Sequence, residues 1–166
     1  MSNLETAMDY EICEIKETEY SILENFLYEA IFVPEGVQPP PRSIINTPEL
    51  QVYVRNFGAQ KHDRALSAKI GNKVVGAVWV RIMDDYGHID NKTPSFAISL
   101  YKEYRGLGIG TELMRKMLAI LKSCGYERAS LAVQKANYAV KMYLGVGFEI
   151  FDENEEEYIM VNYLQS

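Results

Sequence analysis

The sequence predicts an α+β fold, a mixed and mostly antiparallel sheet flanked by helices, and three observations carry that expectation. In the first half of the chain extended segments follow one another through tight turns, so they should pair as antiparallel neighbours. From residue 95 the pattern changes to strand, helix, strand, helix, strand. The chain has 166 residues, 48% hydrophobic and 24% charged, enough for one apolar core, and residues 1–166 are expected to form a single domain.

Taken in order, residues 11–16 partly alternate apolar and polar and read as a strand. Between residues 19 and 31, Ile22, Leu23, Phe26, Leu27 and Ala30 recur at helical spacing. Pro34, Gly36, Pro39, Pro40 and Pro41 then make a stiff, polyproline-like connection. Thr47-Pro48 supplies a cap with proline at the first helical position, and Gly58 a stop, so residues 48–57 read as a short second helix. Residues 65–70 are extended, Gly71-Asn72 turns the chain, and residues 73–83 return. Turn-rich stretches near Asp84-Asp85 and Asn91 to Pro94 lead into a strand over 95–101. Residues 110–124 place Leu113, Met117, Ile120, Leu121 and Cys124 on one helix face, with Gly125 just beyond. Residues 128–134 read as a strand, 137–144 as a helix, and two strands follow Phe148 around an acidic turn.

Composition narrows the function classes. The longest apolar stretch, 74–80 broken only by Gly76, is far short of the ~20 residues of a membrane span, so no membrane partner is expected. The first ten residues have no basic head and no apolar run, unlike a secretory signal. Cys13 and Cys124 cannot build a disulfide framework and are wrongly spaced for zinc. A cytoplasmic protein without a metal is the expectation. The net charge of -6 conceals a pattern. Residues 1–30 hold eight acids and one base, and residues 148–166 hold six acids and no base. The intervening stretch holds sixteen bases and nine acids. An anionic ligand would therefore meet the middle of the chain. No basic stripe or dense Lys/Arg cluster points to nucleic acid. An exposed late strand could pair in a homodimer.

The informative segment runs from Leu100 to Leu113. A strand ends, Gly106, Gly108 and Gly110 follow at alternate positions, and a helix begins at once. Alternate glycines let successive backbone N–H groups converge without obstruction from Cβ. Together with a helix N-terminus they make an anion site suited to a phosphate or pyrophosphate; a plain tight connection is the alternative. The dinucleotide-binding pattern fails because Thr111 stands at its third glycine, and the P-loop pattern fails for want of Gly-Lys-Ser/Thr. What stands is Arg-x-x-Gly-x-Gly at Arg105, Gly108 and Gly110.

That segment resembles the acetyl-CoA motif of the GNAT family of N-acetyltransferases. Asn137, Ala139, Tyr143 and Gly147-Phe148 look like the family's downstream signature, in the right order. The resemblance implies an acyl-CoA N-acyltransferase fold and an enzyme that moves acetyl from acetyl-CoA to a primary amine by direct attack in a ternary complex. It implies acetyl-CoA as co-substrate and no metal. The pyrophosphate would lie on the backbone of Gly106, Leu107, Gly108, Ile109, Gly110 and Thr111, with Arg105 beside it. The pantetheine arm would run along Ile98, Ser99 and Leu100 and meet Asn137, between a fourth and fifth strand splayed apart. The N–H of Leu100 would polarise the thioester carbonyl, and Tyr143 would protonate the departing thiolate. A non-catalytic acyl-CoA-binding sensor or regulatory module is the competing expectation, against which the retained Tyr143 stands.

The base and the acceptor are less legible. Residues 92–100 lack the carboxylate that some relatives place there, leaving Asp90 as a candidate base beside a water chain. Trp79 and Arg81 alternate with Val78 and Val80, so they would touch substrate if their face lined the cleft. Glu29 ends the first helix beside the proline-rich loop, where relatives bind acceptors. His62 and His88 read as surface residues and Cys124 as core. The expected acceptor is a small-molecule or peptide amine, cationic if the acidic chain ends border its entry.

Overall fold

The computed structural model describes residues 9–165. Seven extended segments build one sheet. Its strands are β1 (Glu11–Glu14), β2 (Arg64–Ile70), β3 (Lys73–Arg81), β4 (Ser95–Leu100), β5 (Arg128–Gln134), β6 (Glu149–Glu153) and β7 (Glu157–Tyr163), in the order β1-β2-β3-β4-β5-β7-β6. β2–β3, β3–β4 and β6–β7, each joined by a turn or loop, pair antiparallel, as do β1 with β2 and β5 with β7 across longer connections. Only β4 and β5, joined through a helix, run parallel.

Each face of the sheet buries a separate apolar cluster. Leu66, Val78, Val80, Phe96, Leu131, Val133 and Met160 pack against α3 (Ile109–Ser123), whose Leu113, Met117 and Leu121 form the apolar stripe, and against Tyr143 of α4 (Ala139–Gly145). On the other face Ala65, Ala77 and Trp79 meet Leu23, Phe26 and Leu27 of α1 (Leu23–Ala30) and Ile45. Alternation along β3 thus assigns Val78 and Val80 to one layer and Trp79 and Arg81 to the other.

Two helices are shorter than their sequence spacing suggests. Residues 17–22 wind as a 3₁₀ turn before α1. The second helix, α2 (Pro48–Gln51), gives way to turns up to Gly58. Arg81 engages this stretch. Its Nη1 donates to the carbonyl of Val52, at 3.2 Å, which the expected helix would need for Asn56, and to that of Arg55, at 2.8 Å.

The same contacts correct the expectation that Trp79 and Arg81 touch substrate. Trp79 is 0% exposed and its Nε1 donates to the carbonyl of Tyr53 at 3.0 Å. Arg81 is 4% exposed and pairs both carboxylate oxygens of Asp63, at 3.2 and 3.0 Å. Asp63 in turn accepts the N–H groups of Gly58 and Gln60. Both side chains belong to the core that holds residues 48–63 against β3. Cys124 is exposed beyond the end of α3, where its face has run out. His62 and His88 are half-buried rather than on the surface: His62 Nδ1 lies 2.5 Å from the Tyr126 hydroxyl, and His88 Nδ1 lies 3.0 Å from the Met83 carbonyl.

Replacing Arg81 with methionine should cost about 3–5 kcal/mol, because it leaves the Asp63 charge buried without its partner. Urea unfolding of Arg81→Met against the parent chain measures this, and a loss below about 1 kcal/mol would contradict it.

Candidate active site

β4 and β5 touch at a single register, Ser95 opposite Ser130, whereas every other strand pair holds at least four. Three bonds pin that point. Ser130 N–H donates to the Pro94 carbonyl at 3.0 Å, the Ser95 and Ser130 hydroxyls lie 3.1 Å apart, and Ser130 Oγ donates to the Gly87 carbonyl at 2.7 Å. Beyond it the strands diverge towards Leu100 and Gln134. A cavity of about 1180 Å³ occupies the gap, lined by residues 96–100 of β4 and 131–134 of β5.

Divergence strips β4 of partners on one edge. Tyr101 donates its N–H to the Val75 carbonyl at 3.0 Å, so residue 101 faces β3 in the ladder. By antiparallel alternation, the N–H groups of Ile98 and Leu100 turn the other way, into the gap. Ser99 lines the cavity, but its hydroxyl donates to the Phe26 carbonyl at 2.6 Å and ties α1 to β4.

The glycine turn closes one end. Gly106 and Gly108 have φ of 77° and 89°, conformations that strain any residue with a Cβ. A Cβ on Gly110 would stand 3.3 Å from Leu100 Cδ1 and 3.4 Å from Met142 Sδ, so glycine lets α3 start close against β4. Arg105 N–H bonds to the Lys102 carbonyl, and the next amide so engaged is that of Glu112, on the Gly108 carbonyl. Between them the amides of Gly106, Leu107, Gly108, Ile109, Gly110 and Thr111 have no partner among the described residues. Six free donors at the positive end of a fifteen-residue helix are an arrangement that suits an anion. The Leu107 side chain points to solvent and that of Ile109 into the core, so both offer backbone only.

The other predicted residues fall into groups. Tyr143 lines the cavity, is 8% exposed and packs edge-to-face on Phe148. Burial pushes its hydroxyl above the usual phenol range, so it holds its proton at neutral pH. Asn137 also lines the cavity, and its Oδ1 accepts the Ala139 N–H at 2.9 Å in a turn just before α4. The Arg105 guanidinium is engaged by the carbonyls of Leu100, at 2.9 Å, and Glu29, at 3.3 Å, and by the Glu29 carboxylate at 3.3 Å. It fastens the end of α1 to β4 at the cavity edge.

Asp90 is no base. It accepts the Lys92 N–H at 2.8 Å and pairs with Arg128 at 2.9 Å, and these bonds hold its carboxyl down at about 2. It does not line the cavity. Sequence reading missed Tyr53 and Glu157, which do. Tyr53 donates to Asp85 Oδ2 at 3.1 Å, and burial raises the Asp85 carboxyl above its usual value despite this bond and one from Ser95. In the sequence Glu157 was one of six acids in the last nineteen residues; only the β5–β7 register singles it out. Among the described residues, no group of three side chains could hold a metal, and no helix is long and apolar enough to cross a membrane.

The stability Asp90 draws from Arg128 and Lys92 is full above its unfolded value of 3.8 and is lost as pH falls through about 2. The difference in urea midpoint between the parent and Asp90→Asn should therefore be present at neutral pH and close across that window. A difference that does not change with pH would contradict it.

The acetyltransferase (GNAT) family model matches residues 27–148. Over 76 residues the chain is 36% identical to YobR, an uncharacterized N-acetyltransferase of Bacillus subtilis (strain 168); the match covers 45% of this chain and 28% of that protein. Among solved structures it is similar to the PaiA N-acetyltransferase of Thermoplasma acidophilum in complex with coenzyme A, with TM-score 0.68 at 20% identity, covering 94% of this chain and 99% of that one. It is equally similar to the ribosomal-protein-S18-alanine N-acetyltransferase of Escherichia coli, with TM-score 0.68 at 14% identity, covering 95% and 96%.

Proposed function

The chain belongs to the acetyltransferase (GNAT) family, and on that premise we propose that it transfers the acetyl group of acetyl-CoA to a primary amine. The observation that carries this is the continuity of one cavity, from the six unpartnered amides at residues 106–111 into the gap between β4 and β5. The amides suit the pyrophosphate, and Asn137 stands where the arm would pass. An extended pantetheine arm carries polar amides, and the unpaired edge of β4 at Ile98 and Leu100, either side of Ser99, offers it backbone partners.

The acceptor amine attacks the thioester carbonyl directly in a ternary complex. The Leu100 N–H is aimed into the gap, where it would stabilise negative charge developing on the carbonyl oxygen. The C–N bond forms, the C–S bond breaks, and sulfur leaves with the electron pair. Tyr143, still protonated because it is buried, gives that thiolate its proton. Holding both substrates in one cavity supplies much of the acceleration. Glu29, Glu35 and Glu157 line the cavity and favour a cationic acceptor, small molecule or peptide. The E. coli neighbour is named for a protein alanine, one such amine.

Coenzyme A at a hundred times its dissociation constant should stabilise the chain by about 2.7 kcal/mol, read as a rise in melting temperature. No shift at millimolar coenzyme A would overturn the reading. Tyr143→Phe should cut thiol release from acetyl-CoA by on the order of 10²–10⁴-fold while coenzyme A still binds. An unchanged rate would remove Tyr143 as the acid. Tight coenzyme A binding without thiol release against any amine of a broad panel would favour the sensor instead.

A further inference from the structure

The cavity spans both faces of the sheet. Tyr143, Ile98 and Leu100 belong to the layer under α3 and α4. Met160 and Tyr158 pack in that same layer, so alternation along β7 turns Glu157 to the opposite face. There Glu157 stands directly across from Gln134 at the open end of β5. Tyr53, Leu50, Leu27 and Ile31 line the same region.

Among the cavity-lining carboxylates, Glu157 alone is both sheltered and unpaired among the described residues. Glu29 is engaged by Arg105, and Glu35 lies exposed in the proline-rich loop. Asp85 sits behind Tyr53 and does not reach the cavity. The groups around Glu157 are Gln134 on β5, Tyr53 after α2, and Glu156 in the adjoining turn. The nearby cation, Lys135, is turned away: its Nζ bonds Glu153 at 2.5 Å and lies over the Tyr158 ring, on the other face. Burial first, and Glu156 second, raise the Glu157 carboxyl above its usual value, which brings a carboxylate closer to the range of a useful base.

We propose that Glu157 receives the ammonium of the acceptor and takes its proton, which rests on the acetyl-transfer reading above. The ammonium gives one proton to Glu157, which is half-buried and can pass it to solvent. The freed lone pair forms the C–N bond. The second proton lost by nitrogen balances the one that Tyr143 gives to sulfur, so one proton in all leaves to bulk. Proton uptake and proton delivery thus fall on opposite faces of the sheet, on either side of the carbonyl. The surroundings also define the acceptor class: a primary amine on an apolar stem, without a carboxylate next to the amine, since Glu29, Glu35 and Glu157 would repel one.

Two probes of nearly the same shape test this, 2-phenylethylamine, an ammonium at neutral pH, and O-benzylhydroxylamine, a neutral amine there. With saturating acetyl-CoA, Glu157→Gln should lower kcat/KM for 2-phenylethylamine by on the order of 10²–10⁴-fold, and for O-benzylhydroxylamine by a factor at least about tenfold smaller. In Glu157→Gln the acid limb of the 2-phenylethylamine pH profile should move up to the amine's own pKa (~10), since only the free amine then reacts, and Glu157→Asp should restore part of the rate. Equal losses for both probes, or an unchanged acid limb, would reduce Glu157 to a structural role and overturn the proposal. Coenzyme A binding by calorimetry separates the two levels. If the parent chain fails to bind coenzyme A, the acetyl-transfer reading falls. If only Glu157→Gln fails to bind, Glu157 serves the cofactor end and its assignment to the acceptor falls.

Discussion

Everything at the site depends on two parallel strands that meet once and then separate. A sheet normally satisfies its backbone through the neighbouring strand, and an unpaired buried N–H or C=O is costly. The serine pair at 95 and 130 holds β4 and β5 together at one end, with the Pro94 and Gly87 carbonyls joining the cluster. Past that point the edges face a cavity instead of each other. The chain tolerates this because the gap is open to ligand and solvent, and because α3 and α4 on one side and α1 on the other carry the packing that the missing ladder would have supplied.

A second constraint sets one wall of the cavity. Residues 48–63 form little regular structure, yet they carry Tyr53 to the cavity. They are held by one buried cation, Arg81, which fills the carbonyls of Val52 and Arg55 and the carboxylate of Asp63. Trp79 adds a bond to Tyr53's own carbonyl. A cluster that looked like substrate-facing chemistry is instead the anchor of a wall. Ser99 and Arg105 do the same for α1, through the carbonyls of Phe26 and Glu29.

The fold and the glycine turn were legible because their signals are local. Alternation, helical spacing and Gly106-x-Gly108-x-Gly110 each describe a few consecutive residues. What failed needed long-range information. Alternation tells which residues of β3 share a face but not which layer covers it, so Trp79 and Arg81 were assigned to the wrong surroundings. Asp90 was chosen by nearness in sequence, and its pairing with Arg128, thirty-eight residues on, removes it. Glu157 was hidden among neighbouring acids until the β5–β7 register set it opposite Gln134. The helix expected over 48–57 stops early, and a guanidinium from another strand takes the Val52 carbonyl that its next turn would use.

The six unpartnered amides bear on how this protein should be handled. A cradle that selects for the charge and shape of a phosphate group does not distinguish a coenzyme from a buffer ion. On the proposed reading, inorganic phosphate or sulfate would compete with coenzyme A for the amides of residues 106–111. Affinities measured in phosphate buffer would then be apparent values, weaker by the factor one plus the ion concentration over its own dissociation constant. The choice of buffer is part of the chemistry of this site.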